Sequence, residues 1–138
     1  MVKRVIWGLI LLTMMGACGE TDPGVTREGA VRGFVDAMQR SRWDADAREE
    51  AFALIDEGSR DELARRASRT AALGRRGLEP WQMIAQGTFR LMFRPQVFEA
   101  AGNIVIVRGD GQSAQVPVVY EGDRWRVVLF PGGTSLDH

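Results

Sequence analysis

Residues 103–130, NIVIVRGDGQSAQVPVVYEGDRWRVVLF, decide the fold class. Asn103 to Arg108 is rich in β-branched side chains, which fit the pleated, half-buried surface of a strand. Gly109-Asp110-Gly111 then reads as a turn and Gln112 to Tyr120 as the next strand. Glu121-Gly122-Asp123 turns the chain again, and Arg124 to Phe130 is the last strand. Short Gly/Asp turns between β-branched runs are the signature of antiparallel hairpins. In the last strand, period-2 alternation puts Trp125, Val127 and Leu129 on one face and Arg126 and Val128 on the other. Pro117 has no N–H for a ladder, so it marks an edge, an outward-facing amide position or a bulge. Upstream, Thr88 to Phe93 and Val97 to Glu99 read as extended segments around Pro95.

Working outward towards the N-terminus, the periodicity changes from 2 to 3.6. Thr26 to Gln39 is predicted as a helix, with Thr26 as N-cap and Glu28 at the positive end of the dipole. Ala30, Val31, Phe34, Val35 and Met38 share its apolar face. Gly29 and Gly33 weaken this helix by up to about 1 kcal/mol each against Ala, unless they serve to permit close packing. A second helix starts near Asp46, carries Ala51, Phe52, Leu54 and Ile55, and breaks at Gly58. Ser59-Arg60-Asp61-Glu62 has the spacing of a capping box for a third helix that ends near Leu73, with Gly74 as its stop. Its apolar face is Leu63, Ala67, Ala71 and Leu73. Pro80 suits the first position of a short helix through Ala85. Helices first and strands second predict an α+β class, with N-terminal helices packed on an antiparallel sheet.

The first residues carry a different message. Lys3 and Arg4 precede an apolar run, Val5 to Met15, that leads into Met15-Gly16-Ala17-Cys18. A basic start, a short apolar stretch and small residues before a cut describe an export signal. The run of about eleven residues is shorter than the roughly 20 a spanning helix needs. Gly16-Ala17-Cys18 resembles the lipobox of bacterial lipoproteins, with Met15 where that pattern favours Leu. The resemblance implies cleavage before Cys18, a diacylglyceryl thioether on its sulfur and a palmitate-type acyl chain on the new amine. Two or more chains hold a protein stably at a membrane, whereas one holds it only marginally. The organisation expected is a signal peptide over 1–17, a lipidated Cys18 and tether over 18–25, and one α+β domain over 26–138. The tether, Gly19 to Val25, reaches at most about 25 Å. In diderm bacteria an Asp after the cysteine favours inner-membrane retention. Gly19 stands there instead, which points to the periplasmic face of the outer membrane in the cell envelope.

Composition narrows the chemistry. Lys3 and Arg4 leave with the signal, so the mature chain has 16 basic and 18 acidic side chains, a net charge of −2. That argues against a nucleic-acid partner, which calls for a clear basic surface. Cys18 is the single cysteine and, once acylated, is no longer a thiol; no disulfide, thiolate nucleophile or thiolate metal site is expected. His138 is the single histidine, so a histidine triad, histidine base or histidine metal site is not expected either. No cofactor and no metal are called for.

The order of elements and the closing hairpin, with its Gly/Asp turn before a Trp on a strand (EGDRWRVVLF, residues 121–130), resemble the nuclear-transport-factor-2-like superfamily. The likeness spans roughly Val25 to Pro131. It implies a highly curved sheet wrapping the helices into a cone with an open mouth. The superfamily holds enzymes and non-enzymes, so fold does not give function. Its ketosteroid isomerases use an Asp base with a Tyr and a protonated Asp, but no residue pattern here carries those roles over.

Three constellations stand out. Trp81, Phe89, Phe93, Tyr120 and Trp125, with Met83 and Met92, could line an apolar ligand pocket or form ordinary core. Arg90, Arg94 and Arg126 would suit an anionic ligand at a cone mouth, or form a solvated sheet face. Asp36 and Tyr120 could move a proton inside a cone, if burial raised the carboxylate pKa; the plainer reading is a solvated helix residue and a packed strand end. Arg108-Gly109-Asp110 matches an adhesion tripeptide, but a hairpin turn explains it. The expectation is a lipid-anchored, non-enzymatic envelope protein that binds a protein partner or a small apolar ligand. The alternative is a small envelope enzyme with a buried carboxylate at Asp36, Asp56 or Glu99.

Overall fold

The computed structural model describes residues 22–74, 76–84 and 91–132. The stretch read from sequence as an export signal, together with Cys18, Phe89, Arg90 and His138, lies outside these residues. The described chain is α+β, with three α-helices and a curved four-stranded antiparallel sheet.

Helix α1 runs Arg27–Arg40, as its capping residue and periodicity predict. The Thr26 hydroxyl accepts the Gly29 N–H at 2.9 Å, which satisfies one orphan amide of the first turn. Ala30, Val31, Phe34, Val35 and Met38 are all buried, and Ala37 joins them. The glycines of this helix serve close approach. A Cβ on Gly29 would stand 2.8 Å from the Pro23 carbonyl oxygen, and one on Gly33 2.9 Å from the Pro23 Cβ. Pro23 belongs to a short 3-10 helix, Pro23–Val25, that runs across the start of α1.

The second helix differs from its sequence reading. Helix α2 covers Asp46–Ala53 and stops before Gly58. Ile55 instead forms a parallel bridge with Val127. The Asp56 N–H donates to the Val127 carbonyl at 3.0 Å, and the Val127 N–H donates to the Leu54 carbonyl at 2.9 Å. With Ile55 pinned to the sheet, the next helix can begin at once. Helix α3 spans Glu57–Ala72, and its N-cap is Asp56 rather than Ser59. The Asp56 carboxylate accepts the Ser59 N–H at 3.3 Å. The Ser59 hydroxyl is spent elsewhere, accepting the Leu129 N–H at 3.0 Å. Glu62 does not close a capping box; it pairs with Arg65 and Arg66. Gly74, at φ +72°, follows the helix as the predicted stop. Only the first half of the expected apolar face of α3 is buried: Leu63 and Ala67 are inside, while Ala71 and Leu73 are exposed. A second 3-10 helix, Pro80–Met83, starts at the predicted proline and packs on α2 and α3.

The strands are β1 Val97–Ala101, β2 Ile104–Gly109, β3 Gln112–Glu121 and β4 Arg124–Val127, in the order β1-β2-β3-β4. Leu91 to Phe93, read from sequence as extended strand, carry no strand pairing. The two predicted hairpins both form. Asp110-Gly111 and Gly122-Asp123 make two-residue turns with positive φ at both positions, the geometry that matches strand twist. Pro117 sits where β3 changes partners. Residues up to Pro117 pair with β2, and Val118 to Glu121 pair with β4. The missing proline donor thus falls at the changeover between two ladders. Strand β4 ends at Val127, three residues short of the predicted end, because Ser59 draws the Leu129 amide away from the sheet. Val105 and Val107 of β2, Val116 and Val118 of β3 and Val127 of β4 face α1, and Phe34, Ile55, Leu63 and Ile84 complete the core.

A candidate ligand cleft at the end of helix α1

Helix α1 ends in a tight turn that throws two large side chains outwards. The Ser41 N–H donates to the Ala37 carbonyl at 2.9 Å, and the Ser41 hydroxyl donates to the Met38 carbonyl at 2.6 Å. The Trp43 and Asp44 N–H groups close on the Arg40 carbonyl at 3.1 and 2.9 Å. Arg42 and Trp43 lie at the apex of this turn, and Trp43 is 75% exposed.

Facing it is the segment Leu91–Gln96, which has no regular structure but is firmly tied. The Arg94 N–H donates to the Asp110 carboxylate at 3.2 Å, and the Gln96 N–H donates to the Arg108 carbonyl at 2.8 Å. The Arg94 carbonyl lies directly over Gly109, where a Cβ would collide with it. So the turn between β2 and β3 anchors this segment, and Gly109 is the residue that lets the two backbones meet.

Between the two lies a cleft of about 560 Å³. Val35 and Met38 form its floor, both buried on α1. Leu91 and Phe93 line it half-buried, while Trp43 and Met92 stand exposed at its lip. Gln39, Arg42, Arg94 and Asp110 are its polar groups. Neither the Arg42 nor the Arg94 guanidinium makes an ion pair or hydrogen bond with a described side chain or carbonyl. Arg40, one residue away, is the opposite case. It bonds Glu50 and Asp36, which raises its own pKa and holds Glu50 below the usual carboxylate range, and it lies 3.8 Å from Asp44.

The aromatic residues singled out from sequence are not brought together. Phe93 lines the cleft. Trp81 sits half-buried on the second 3-10 helix, and Phe89 lies outside the described residues. Tyr120 and Trp125 oppose each other across β3 and β4, edge to face with ring centres 5.4 Å apart. The Arg27 guanidinium stands 5.4 Å over the Trp125 ring, which ties that pair to the other end of α1. Arg27 and Met38 are separated by about 16 Å of helix axis. Of the four described members of the expected five-residue pocket, Phe93 lines this cleft, as does Met92 from the same sequence reading, while Trp81, Tyr120 and Trp125 do not. Arg94 joins it, while Arg126 donates to the Ala53 carbonyl at 2.9 Å and belongs to the α2–β4 joint. The sequence reading missed Val35, Met38, Gln39, Arg42, Trp43, Leu91 and Asp110. Trp43, a tryptophan directly after a predicted helix and in no apolar repeat, was the available signal.

The carboxylates considered for proton transfer have other duties. Asp36 is exposed and pairs with Arg40 at 3.0 Å; Glu99 is exposed and pairs with Arg108 at 2.6 Å. Asp56 caps α3, and Tyr120 is 58% exposed. Arg108, Gly109 and Asp110 all serve the hairpin and the segment above it. Among the described residues no cluster of three or more His, Cys, Asp or Glu is placed to hold a metal ion. No helix among them is long and apolar enough to cross a membrane. Comparison with family models, with curated proteins and with solved structures returns no match to this chain.

Proposed function

We propose that this chain is a lipid-anchored protein of the cell envelope that holds a small apolar ligand without transforming it. The cleft at the end of α1 is the observation that carries this reading. It pairs a buried aliphatic floor with an aromatic and methionine lip, in the size range of about 300–1,000 Å³ typical of ligand sites. The carboxylates that a proton-transfer mechanism would need are engaged in caps and ion pairs, which favours binding over catalysis. Cys18 supplies the anchor, and its lipid confines the domain to one leaflet and raises its effective concentration there. Gly19 after the cysteine favours the periplasmic face of the outer membrane. The helices-first order and the curved sheet support a cone-like, nuclear-transport-factor-2-like arrangement, with the cleft at its mouth.

A protein partner is the second reading, favoured by the exposure of Trp43 and Met92, 75% and 72%. Native and denaturing mass spectrometry on protein extracted gently from its own membranes separates the two. The denaturing mass is expected to show acylated Cys18, and the native mass to exceed it by one small, defined increment. An unacylated chain removes the anchor. A native mass equal to the monomer or its multiples moves the function to protein contact.

A further inference from the structure

We infer that the cleft is specific for a single-chain amphiphile with one negative charge, a fatty-acid-type carboxylate. Its head would lie at Arg42 and Arg94 and its chain over Val35, Met38 and Phe93. The inference rests on the ligand-binding reading above and names its chemistry.

The lining is divided by polarity. Aliphatic and aromatic side chains form the floor and one wall, and the charged groups sit at the rim. A wholly apolar ligand would leave the rim unused; a small hydrophilic anion would leave the floor unused. The rim charges do not cancel. Two guanidinium groups face one carboxylate, Asp110, and that carboxylate already accepts the Arg94 N–H. One negative charge on the ligand balances the excess. A carboxylate head also matches the fork of a guanidinium, which offers two parallel donors. Almost every other arginine around α1 is committed: Arg27 to the Gly102 carbonyl, Arg32 over the Phe98 ring and Arg40 to its carboxylates. Arg42 and Arg94 stand uncommitted, and both border this same cleft. Trp43 and Met92 at the lip offer wide, adaptable apolar surface to the chain portion that emerges.

The test uses the full chain in phosphatidylcholine nanodiscs, with empty nanodiscs as the baseline. Laurate, dodecanol and dodecyltrimethylammonium are titrated while tryptophan fluorescence is followed, and the Trp43→Phe variant identifies the signal from the cleft. Laurate is expected to bind roughly fivefold more tightly than dodecanol, the scale of a partly exposed ion pair. The ammonium amphiphile is expected to bind most weakly. Each methylene removed from laurate should weaken binding by about fourfold. The double variant Arg42→Gln/Arg94→Gln should bring laurate to the level of dodecanol. Circular dichroism checks its fold. Added salt tests the same point on the unaltered chain, weakening laurate but not dodecanol. Equal binding of the three probes, or equal loss of laurate and dodecanol in the double variant, overturns the inference and leaves an apolar-ligand site standing. No Trp43-dependent signal with any probe overturns both.

Discussion

At its N-terminal end, α1 is enclosed by small residues and short contacts; at its C-terminal end, the same helix opens onto large, exposed side chains. Near the start, Gly24 packs against the Arg124 side chain, Gly29 and Gly33 against Pro23, and Arg124 reaches Asp22 at 3.1 Å. Arg27 adds a 2.7 Å bond to the Gly102 carbonyl. Near the finish stand Arg42, Trp43 and, across the cleft, Met92 and Arg94. The contrast is one of residue size used for opposite ends. Where backbones must touch, glycine removes the obstacle and leaves no room for a guest. Where long side chains crowd a rim, backbones stay apart and the space between them is adjustable.

The contrast makes demands of different size. The heaviest falls on Phe34, fully buried between the two ends. Phe34→Ala should cost about 3–5 kcal/mol in urea unfolding, the range for emptying an aromatic site. A loss below about 1 kcal/mol would mean that this side of the helix is not close-packed. Next comes Gly29→Ala. Alanine favours the helix by up to about 1 kcal/mol, yet its methyl would meet a carbonyl oxygen that cannot retreat. A net loss of about 1–3 kcal/mol is expected; a gain would show that the enclosed end has slack. Thr26→Ala, which removes only the cap, should cost about 1 kcal/mol.

A pH series addresses the open end. Arg40 holds the Glu50 pKa below its ordinary value of 4.5, so this pair's stabilisation is fully present above that value. It is lost as the pH falls through the lower folded pKa. The stability difference between the unaltered chain and Glu50→Gln should therefore shrink on acidification below pH 4.5. A difference that grows would place Glu50 elsewhere. The smallest effect belongs to Trp43→Ala. With Trp43 so exposed, stability should change by no more than about 0.5 kcal/mol. A larger loss would show that the lip supports the fold rather than awaiting a ligand.

Local chemistry wrote its elements legibly. Thr26, Glu28 and the Ala30–Met38 face mark α1 within a residue of its observed bounds, because a cap and a 3.6-residue stripe are local properties. The positions of both hairpin turns were readable for the same reason, since Gly and Asp accept the positive φ found at Asp110-Gly111 and Gly122-Asp123, although sequence reading made each turn three residues long. Reading failed where a distant residue decided. Leu54 and Ile55 continue the apolar pattern of α2, but Val127 removes Ile55 from the helix. Ser59 has the look of an N-cap, but Leu129 engages its hydroxyl and leaves Asp56 to start α3. The cleft was hidden too. Val35 and Met38 read as core, and nothing local announces that Leu91–Arg94 will stop short of covering them. Tyr120 and Trp125 misled because aromatic content does not reveal which partner a ring meets, and they meet each other.

The joint between the α2–α3 corner and β4 bears on the order of events during synthesis. Its contacts link residues 70 and 73 positions apart, Ser59 with Leu129 and Ala53 with Arg126. A chain emerging from a ribosome, N-terminus first, exposes all three helices long before β4 arrives. The corner then lacks the strand that pins Ile55, and α3 lacks the partner of its Ser59. Contacts of such separation slow folding, since a long loop must close before they form. The last strand thus acts as a latch: until residues 124–129 have been delivered, the α2–α3 corner waits for the contacts that fix it to the sheet.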